Sequence, residues 1–276
     1  MQFNEITQIS SRQNNKAKIW LKLKTTQGVK KHDLILIEGV RFCITALQNQ
    51  AEIKTFLFVD NKIGEKIFTE FQRLISSSMP EKLLDFEENS FRIGEELFQN
   101  IANVRNPQGV IFITKKPDLW ALDDWITHKQ PQKIVLLDKI ADPGNLGTII
   151  RTAHAFNYTG LILKAGSVDP YNPKVLRSTM GSLFALDLIE VKSYQEIKQL
   201  DLKLLVSDMN GILLPKYDRS QIKQGHILAI GNEAHGIDED LIKLADDIIS
   251  IPMARNIESL NAAIAFAIMA YQLEQP

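Results

Sequence analysis

Residues 133–151 read KIVLLDKIADPGNLGTIIR. Ile134 to Leu137 is a continuous apolar run, as expected of a parallel strand covered on both faces. Asp142-Pro143-Gly144-Asn145-Leu146-Gly147 then turns the chain, and a helix is predicted over 145–156. A strand that enters a helix through a polar turn is the repeating unit of an open α/β sheet. Such sheets bind ligands at the carboxyl edge of their strands. Asn145 is placed to cap the helix, whose N-terminus attracts anions, and Arg151 follows six residues later. On spacing alone, a capped helix with a surface arginine accounts for this stretch.

The pattern repeats downstream. Strands are predicted at Leu161–Leu163, Leu204–Val206, Ile227–Ile230 and Ile248–Ile251, and helices over 172–181, 193–199, 238–245 and 258–272. The last helix is apolar nearly all round (Leu260, Ala263, Ile264, Ala267, Ile268, Tyr271), which suits a core or a subunit contact. Upstream, residues 10–26 and Val40–Leu47 read as helices. Leu34–Ile37, Phe56–Val59 and Val110–Ile113 read as strands, the last after the turn signal Asn106-Pro107-Gln108-Gly109. Three regions are therefore expected: a small α/β domain over 1–115, a linker over 116–131 flanked by Pro117 and Pro131, and a larger parallel-sheet domain over 132–276. No repeat or low-complexity tract interrupts them.

Composition narrows the class. The chain has 276 residues, 45% hydrophobic and 24% charged, with a formal net charge of −1. That balance is globular rather than disordered. No apolar run reaches the roughly 18 residues of a membrane span, and no signal peptide is visible, so a cytoplasmic location is expected. A single cysteine, Cys43, rules out an intrachain disulfide. Charge is unevenly placed: residues 1–31 carry Arg12, Lys16, Lys18, Lys22, Lys24, Lys30 and Lys31 against Glu5, net +6, which leaves −7 on the rest. A basic segment on an acidic body is either a phosphate-contacting surface or a solvated helix face.

Two further loops carry polar groups. In Gly166–Ser182, Lys174, Arg177 and Ser178 share one helical face, which suits a phosphate or simply solvent. Gly231-Asn232-Glu233-Ala234-His235-Gly236 resembles the first half of a phosphate-binding P-loop. Ile237-Asp238 stands where Lys-Ser/Thr should follow, which argues against ATP. Ile251-Pro252-Met253 and Ser259-Leu260-Asn261 come next, the latter at the mouth of the apolar helix, where Ser259 and Asn261 also suit N-caps. No GxGxxG follows a strand, so a dinucleotide is unsupported. His32, His128, His154, His226 and His235 form no metal-ligand pattern, and no metal is expected.

Taken together, Asn145…Arg151, Asn172-Pro173-Lys174…Arg177-Ser178…Gly181-Ser182, and Gly231-Asn232-Glu233…Gly236 with Ile251-Pro252-Met253…Ser259-Leu260-Asn261 resemble the three motifs of the SpoU/TrmH RNA methyltransferases of the SPOUT superfamily. The likeness spans 132–273. Leu36-Ile37-Glu38-Gly39 and Asn106-Pro107-Gln108-Gly109-Val110 resemble, more loosely, that family's substrate-binding domain, an α/β fold shared with some ribosomal proteins. The resemblance implies methyl transfer from S-adenosylmethionine to a ribose 2'-hydroxyl in RNA, with ribosomal RNA expected from the separate N-terminal domain and transfer RNA the alternative. It also implies a deep trefoil knot in the C-terminal domain and a homodimer formed through it. By position it assigns Gly231, Asn232, Ile251, Met253 and Leu260 to the cofactor. Arg151, Asn145, Glu233, Ser259 and Asn261 would surround the reacting hydroxyl, and Lys174, Arg177, Ser178, Arg12 and Lys16 would meet RNA. Where the family usually has glycine, this chain has Ala254-Arg255-Asn256-Ile257, and Arg255 is placed to add a phosphate contact. A catalytically silent RNA-binding protein is the competing reading.

Overall fold

The computed structural model describes residues 1–128, 132–232, 235–254 and 259–274. The chain divides into two compact units, 1–116 with 171–184, and 117–170 with 185–276.

The first unit runs β1 (Gln8–Ile9), α1 (Asn15–Lys22), α2 (Thr26–His32), β2 (Leu34–Glu38), α3 (Val40–Gln48), β3 (Ile53–Val59), α4 (Lys62–Ser78), α5 (Leu83–Glu88), β4 (Ser90–Ile93), α6 (Glu95–Ile101) and β5 (Val110–Lys115). The strands form one mixed sheet in the order β1-β4-β3-β5-β2. The single helix expected over 10–26 is in fact two. Asn14 caps α1, and Thr25 caps α2 by accepting from the Gly28 amide. A capping hydroxyl inside an apolar–basic pattern is hard to tell from a solvent-facing one. Phe56, Phe58, Phe68, Phe71, Phe86 and Phe112 form a buried network of ring contacts, most of them edge-on. Cys43 is fully buried on α3, and burial pushes its thiol well above the ordinary range. A thiolate nucleophile there is disfavoured.

The second unit holds β6 (Leu119–Ala121), α7 (Leu122–His128), β7 (Lys133–Leu137), α8 (Pro143–Ala155) and β8 (Gly160–Lys164). The helix α9 (Pro173–Thr179) groups with the first unit. Then follow β9 (Asp187–Val191), β10 (Lys203–Leu213), β11 (His226–Ile230), α10 (Glu239–Leu244), β12 (Asp247–Ser250) and α11 (Ala262–Glu274). All seven strands are parallel, in the order β12-β10-β11-β7-β8-β9-β6. Ile134, Val135, Leu136 and Leu137 have no exposed surface, as a central parallel strand requires. The reading of 116–131 as a linker needs correction. Leu119–Ala121 pairs with β9, and the Trp125 indole donates to Asp187 at 3.0 Å. Three residues beside a proline are too few to show a strand period. Strand β9 itself was not predicted, and the segment 193–199 folds as a 3-10 helix, Tyr194–Leu200.

The chain runs outward from β7 through β8 and β9, then crosses back to lay β10 and β11 on the other side of β7. The switch point therefore lies between β7 and β11. The turn after β11 borders a cavity on its β10 and β12 side, at the carboxyl edge of the sheet where such folds bind ligands.

At the opposite end of the sheet His226 is 2% exposed and pairs with the Tyr158 hydroxyl at 2.9 Å. Burial first, then Lys133, pushes its imidazole down to about 4. The unfolded chain, with a value near 6.5, therefore takes up a proton that the folded one refuses. Stability falls as pH drops through this window, by about 3 kcal/mol when complete. Urea unfolding compared at about pH 7 and about pH 4.5 should show the loss, and His226→Gln should flatten it. An unchanged slope in that variant would refute the assignment.

Candidate active site

A cavity of about 320 Å3 opens at the carboxyl ends of β10, β11 and β12. Three walls build it. The turn after β11 supplies Gly231, Asn232, Gly236 and Ile237, and the segment after β12 supplies Ile251 and Met253. Ser259 and Leu260 lead into α11, whose Ala262, Ala265 and Met269 close the base. The five residues assigned to the cofactor by position thus line one cavity, although Gly231 and Leu260 lie 29 positions apart. The size is that of a small-ligand pocket.

Backbone packing shapes the first wall. Asn232 and Gly236 exchange two backbone hydrogen bonds, 3.0 and 2.9 Å, and so close a tight turn. Gly236 sits at φ +69°. A Cβ on Gly231 would lie 2.5 Å from the Gly236 carbonyl oxygen, so the close approach admits only glycine.

The sequence reading missed Ser207, Asp208 and Met209, which also line the cavity. Strand β10 continues past the expected Leu204–Val206, and its pairing with β12 shifts register between Ser207 and Ile212. That irregularity leaves Ser207, Asp208 and Met209 on the cavity wall, as bulges near sites do. Gly211 was the available signal: a Cβ there would meet the Ile248 backbone at 2.6 Å.

Asn145 does not cap α8. Asp142 does, accepting from the Asn145 amide at 2.8 Å, with Pro143 in the first turn. Both aspartate and asparagine cap well, and Pro143, favoured at the first helical position, assigns the role to Asp142. The Asn145 side chain meets Asn261 instead, whose Nδ2 donates to Asn145 Oδ1 at 2.9 Å. Asn261 Oδ1 accepts from the amides of Ala263 and Ile264, which fixes its orientation. Asn261 is therefore both the N-cap of α11 and the partner of Asn145. Arg151 stands exposed on α8, and α8 packs against α11.

The remaining assigned residues lie elsewhere. Lys174, Arg177 and Ser178 are on α9 in the first unit. Asn172 caps that helix, and the Ser178 hydroxyl turns back to the Lys174 carbonyl at 3.0 Å. Lys174 and Arg177 are exposed. Arg12 is exposed before α1, and Lys16 lies 4.2 Å over the Phe91 ring. Glu233, Arg255 and Asn256 fall outside the described residues. Among the described residues no cluster of His, Cys, Asp and Glu is placed to hold a metal, and no helix is long and apolar enough to cross a membrane.

Residues 132–271 match the SpoU rRNA methylase family, and residues 14–111 match the MRM3-like substrate binding domain. The chain belongs to the SpoU rRNA methylase family. Its relatives include the 23S rRNA (guanosine(2553)-2'-O)-methyltransferase RlmP of Bacillus subtilis, 30% identical over 96% of this chain and 98% of that one. An AdoMet-bound rRNA methyltransferase from Sinorhizobium meliloti superposes with a TM-score of 0.79 at 26% identity, over 97% of each chain. The SpoU methyltransferase AviRb from Streptomyces viridochromogenes, in complex with AdoMet, gives 0.75 at 26% identity, over 95% of this chain and 97% of that one. This SpoU chain shares their α/β fold with a parallel-sheet domain.

Proposed function

We propose that this SpoU chain transfers a methyl group from S-adenosylmethionine to the 2'-hydroxyl of a ribose in ribosomal RNA. The observation that carries this reading is the amide pair Asn145–Asn261, held next to Ser259 and Leu260 at the rim of the cavity. The cavity suits the cofactor. Backbone at Gly231, Ile251 and Met253 offers hydrogen bonds to a base and sugar, Ile230, Ile237, Leu260 and Met269 offer apolar surface, and Asp208 offers charge to a cationic ligand.

The cofactor supplies a methyl already activated on sulfur, so the protein must supply alignment and help for a weak nucleophile. A ribose hydroxyl is un-ionised near neutral pH, and its oxygen needs stabilisation as charge develops. A guanidinium stays protonated in proteins, which makes Arg151 an orienting and stabilising group rather than a base. Its partners in this reading are an RNA phosphate and Glu233, and the hydroxyl proton leaves to a phosphate oxygen or water. Ser259, Asn145 and Asn261 orient the sugar. Lys174, Arg177, Ser178, Arg12 and Lys16 contact phosphates, and Arg255 adds to them.

The finer features belong to the same reading: a trefoil knot in the C-terminal domain, a cytoplasmic enzyme, and a homodimer. Ile264, Ile268 and Tyr271, spaced four and three apart on α11, are 53%, 40% and 56% exposed, an apolar stripe that suits a second copy. Sedimentation as a monomer at micromolar concentration would sink the dimer.

Tritium transfer from labelled S-adenosylmethionine into total RNA, with ribose-methylation mapping in cells with and without the gene, tests the activity. Loss of one 2'-O-methyl mark in ribosomal RNA is expected. Loss of a mark in transfer RNA would move the substrate, and RNA binding without transfer would favour the silent reading.

A further inference from the structure

Asp138 ends β7 at the switch point and is 1% exposed. A carboxylate buried so deeply is costly unless hydrogen bonds replace water. Here two do: the Tyr194 hydroxyl donates to Oδ1 at 2.6 Å, and the Asp238 backbone amide donates to Oδ2 at 2.7 Å. Tyr194 is itself buried. Burial, then the bond to Asp138, pushes its phenol well above the ordinary value, so it remains a donor.

The position of the second donor matters. Asp238 immediately follows Gly236 and Ile237, which line the cofactor cavity. At the other end of the same turn, the Asn232 side-chain amide donates to the Lys139 carbonyl at 2.8 Å. Lys139 also reaches the Asp238 carboxylate at 3.0 Å. Asn232 and Asp238, on either side of the wall at Gly236 and Ile237, are therefore tied to two consecutive residues, Lys139 and Asp138. One tie is buried and charged, the other is exposed. Neither Asp138 nor Tyr194 lines the cavity.

We infer that Asp138, held by Tyr194, is a positioning residue that sets the place of the cavity wall at Gly231, Asn232, Gly236 and Ile237 for S-adenosylmethionine without touching it. The inference rests on the cofactor reading above. Both ties to Asp238 are charge-assisted, but the one from its amide to Asp138 is buried and short, whereas the Lys139–Asp238 pair is solvent-exposed and screened, so the buried tie holds the backbone more firmly. Tyr194→Phe removes one donor and keeps the ring. Asp138→Asn keeps the shape but replaces one accepting oxygen with a donor that faces another donor.

The test is calorimetric binding of S-adenosylmethionine, paired with methyl-transfer kinetics, for wild type, Tyr194→Phe, Asp138→Asn and Ile197→Val. Ile197 lies on the same 3-10 segment, is buried, and stands in for a loss of core packing alone. Both clamp variants should raise the cofactor Kd and KM about tenfold while kcat at saturating cofactor stays within about threefold. Ile197→Val should lower the melting temperature and leave Kd alone. Wild-type Kd in Tyr194→Phe, or an equal rise in Ile197→Val, overturns the positioning role. If the clamp variants fall in kcat without a change in KM, the role is also overturned. If wild type itself does not bind the cofactor, the cofactor reading fails, and this inference with it.

Discussion

Arg151→Lys should lower kcat for methyl transfer by about 100-fold while leaving the cofactor Kd within about twofold. The size follows from the typical loss on removing one donor that stabilises developing negative charge, about 10²–10³ in rate. Lysine keeps the charge but not the planar fork that holds two oxygens at once. Cofactor binding is spared because Arg151 does not line the cavity; it stands exposed on α8, the helix that also carries Asn145. Single-turnover transfer with saturating cofactor, alongside calorimetry, separates the two. A wild-type rate in Arg151→Lys would remove the guanidinium from the chemistry, and a parallel loss of cofactor affinity would place it in the wrong site.

The second large effect is expected at Gly231. In Gly231→Ala the new methyl would sit 2.5 Å from a backbone oxygen, that of Gly236, and 2.6 Å from the Ile237 side chain. A backbone carbonyl cannot swing aside as a lysine tip can, so the turn must open. Overpacking of this kind costs about 1–3 kcal/mol, and because the displaced atoms form the cavity wall, the cofactor Kd should rise about 10- to 100-fold. Gly236 makes the contrast. It has open space around its Cβ position and a left-handed φ of +69°. Asparagine tolerates that conformation, so Gly236→Asn should bind the cofactor within about threefold of wild type. Equal affinities for wild type and Gly231→Ala would show that the wall does not shape the site.

Much of the cavity lining was legible because its parts are short and local. Gly231-Asn232, Ile251-Pro252-Met253 and Ser259-Leu260-Asn261 each follow a strand or lead into a helix, and chain order alone arranges them along one sheet edge. Other parts were not local. Asn145 reads as an N-cap until Asp142 takes that place, and its partner Asn261 lies 116 residues away. Asp208 enters through a shift in strand pairing, a property of β10 and β12 jointly. Asp138 looks like an ordinary polar end to an apolar strand, and only its burial against Tyr194 and the Asp238 amide gives it a task.

By itself the sequence carried the three motifs by which the chain resembles the SpoU family, and it determined the periodic features: continuous apolar runs that must be buried parallel strands, polar turns at their carboxyl ends, and an apolar last helix. The periodic features follow from side-chain transfer out of water and backbone geometry, which act over a few residues. Tertiary structure decided which turns share a wall, which capping residue is released to face its partner, where the three-residue strand at Leu119 finds a neighbour, and that residues 171–184 group with the first unit. These depend on pairing between segments far apart in the chain. The free energy of such pairing belongs to no single segment, so no local pattern records it.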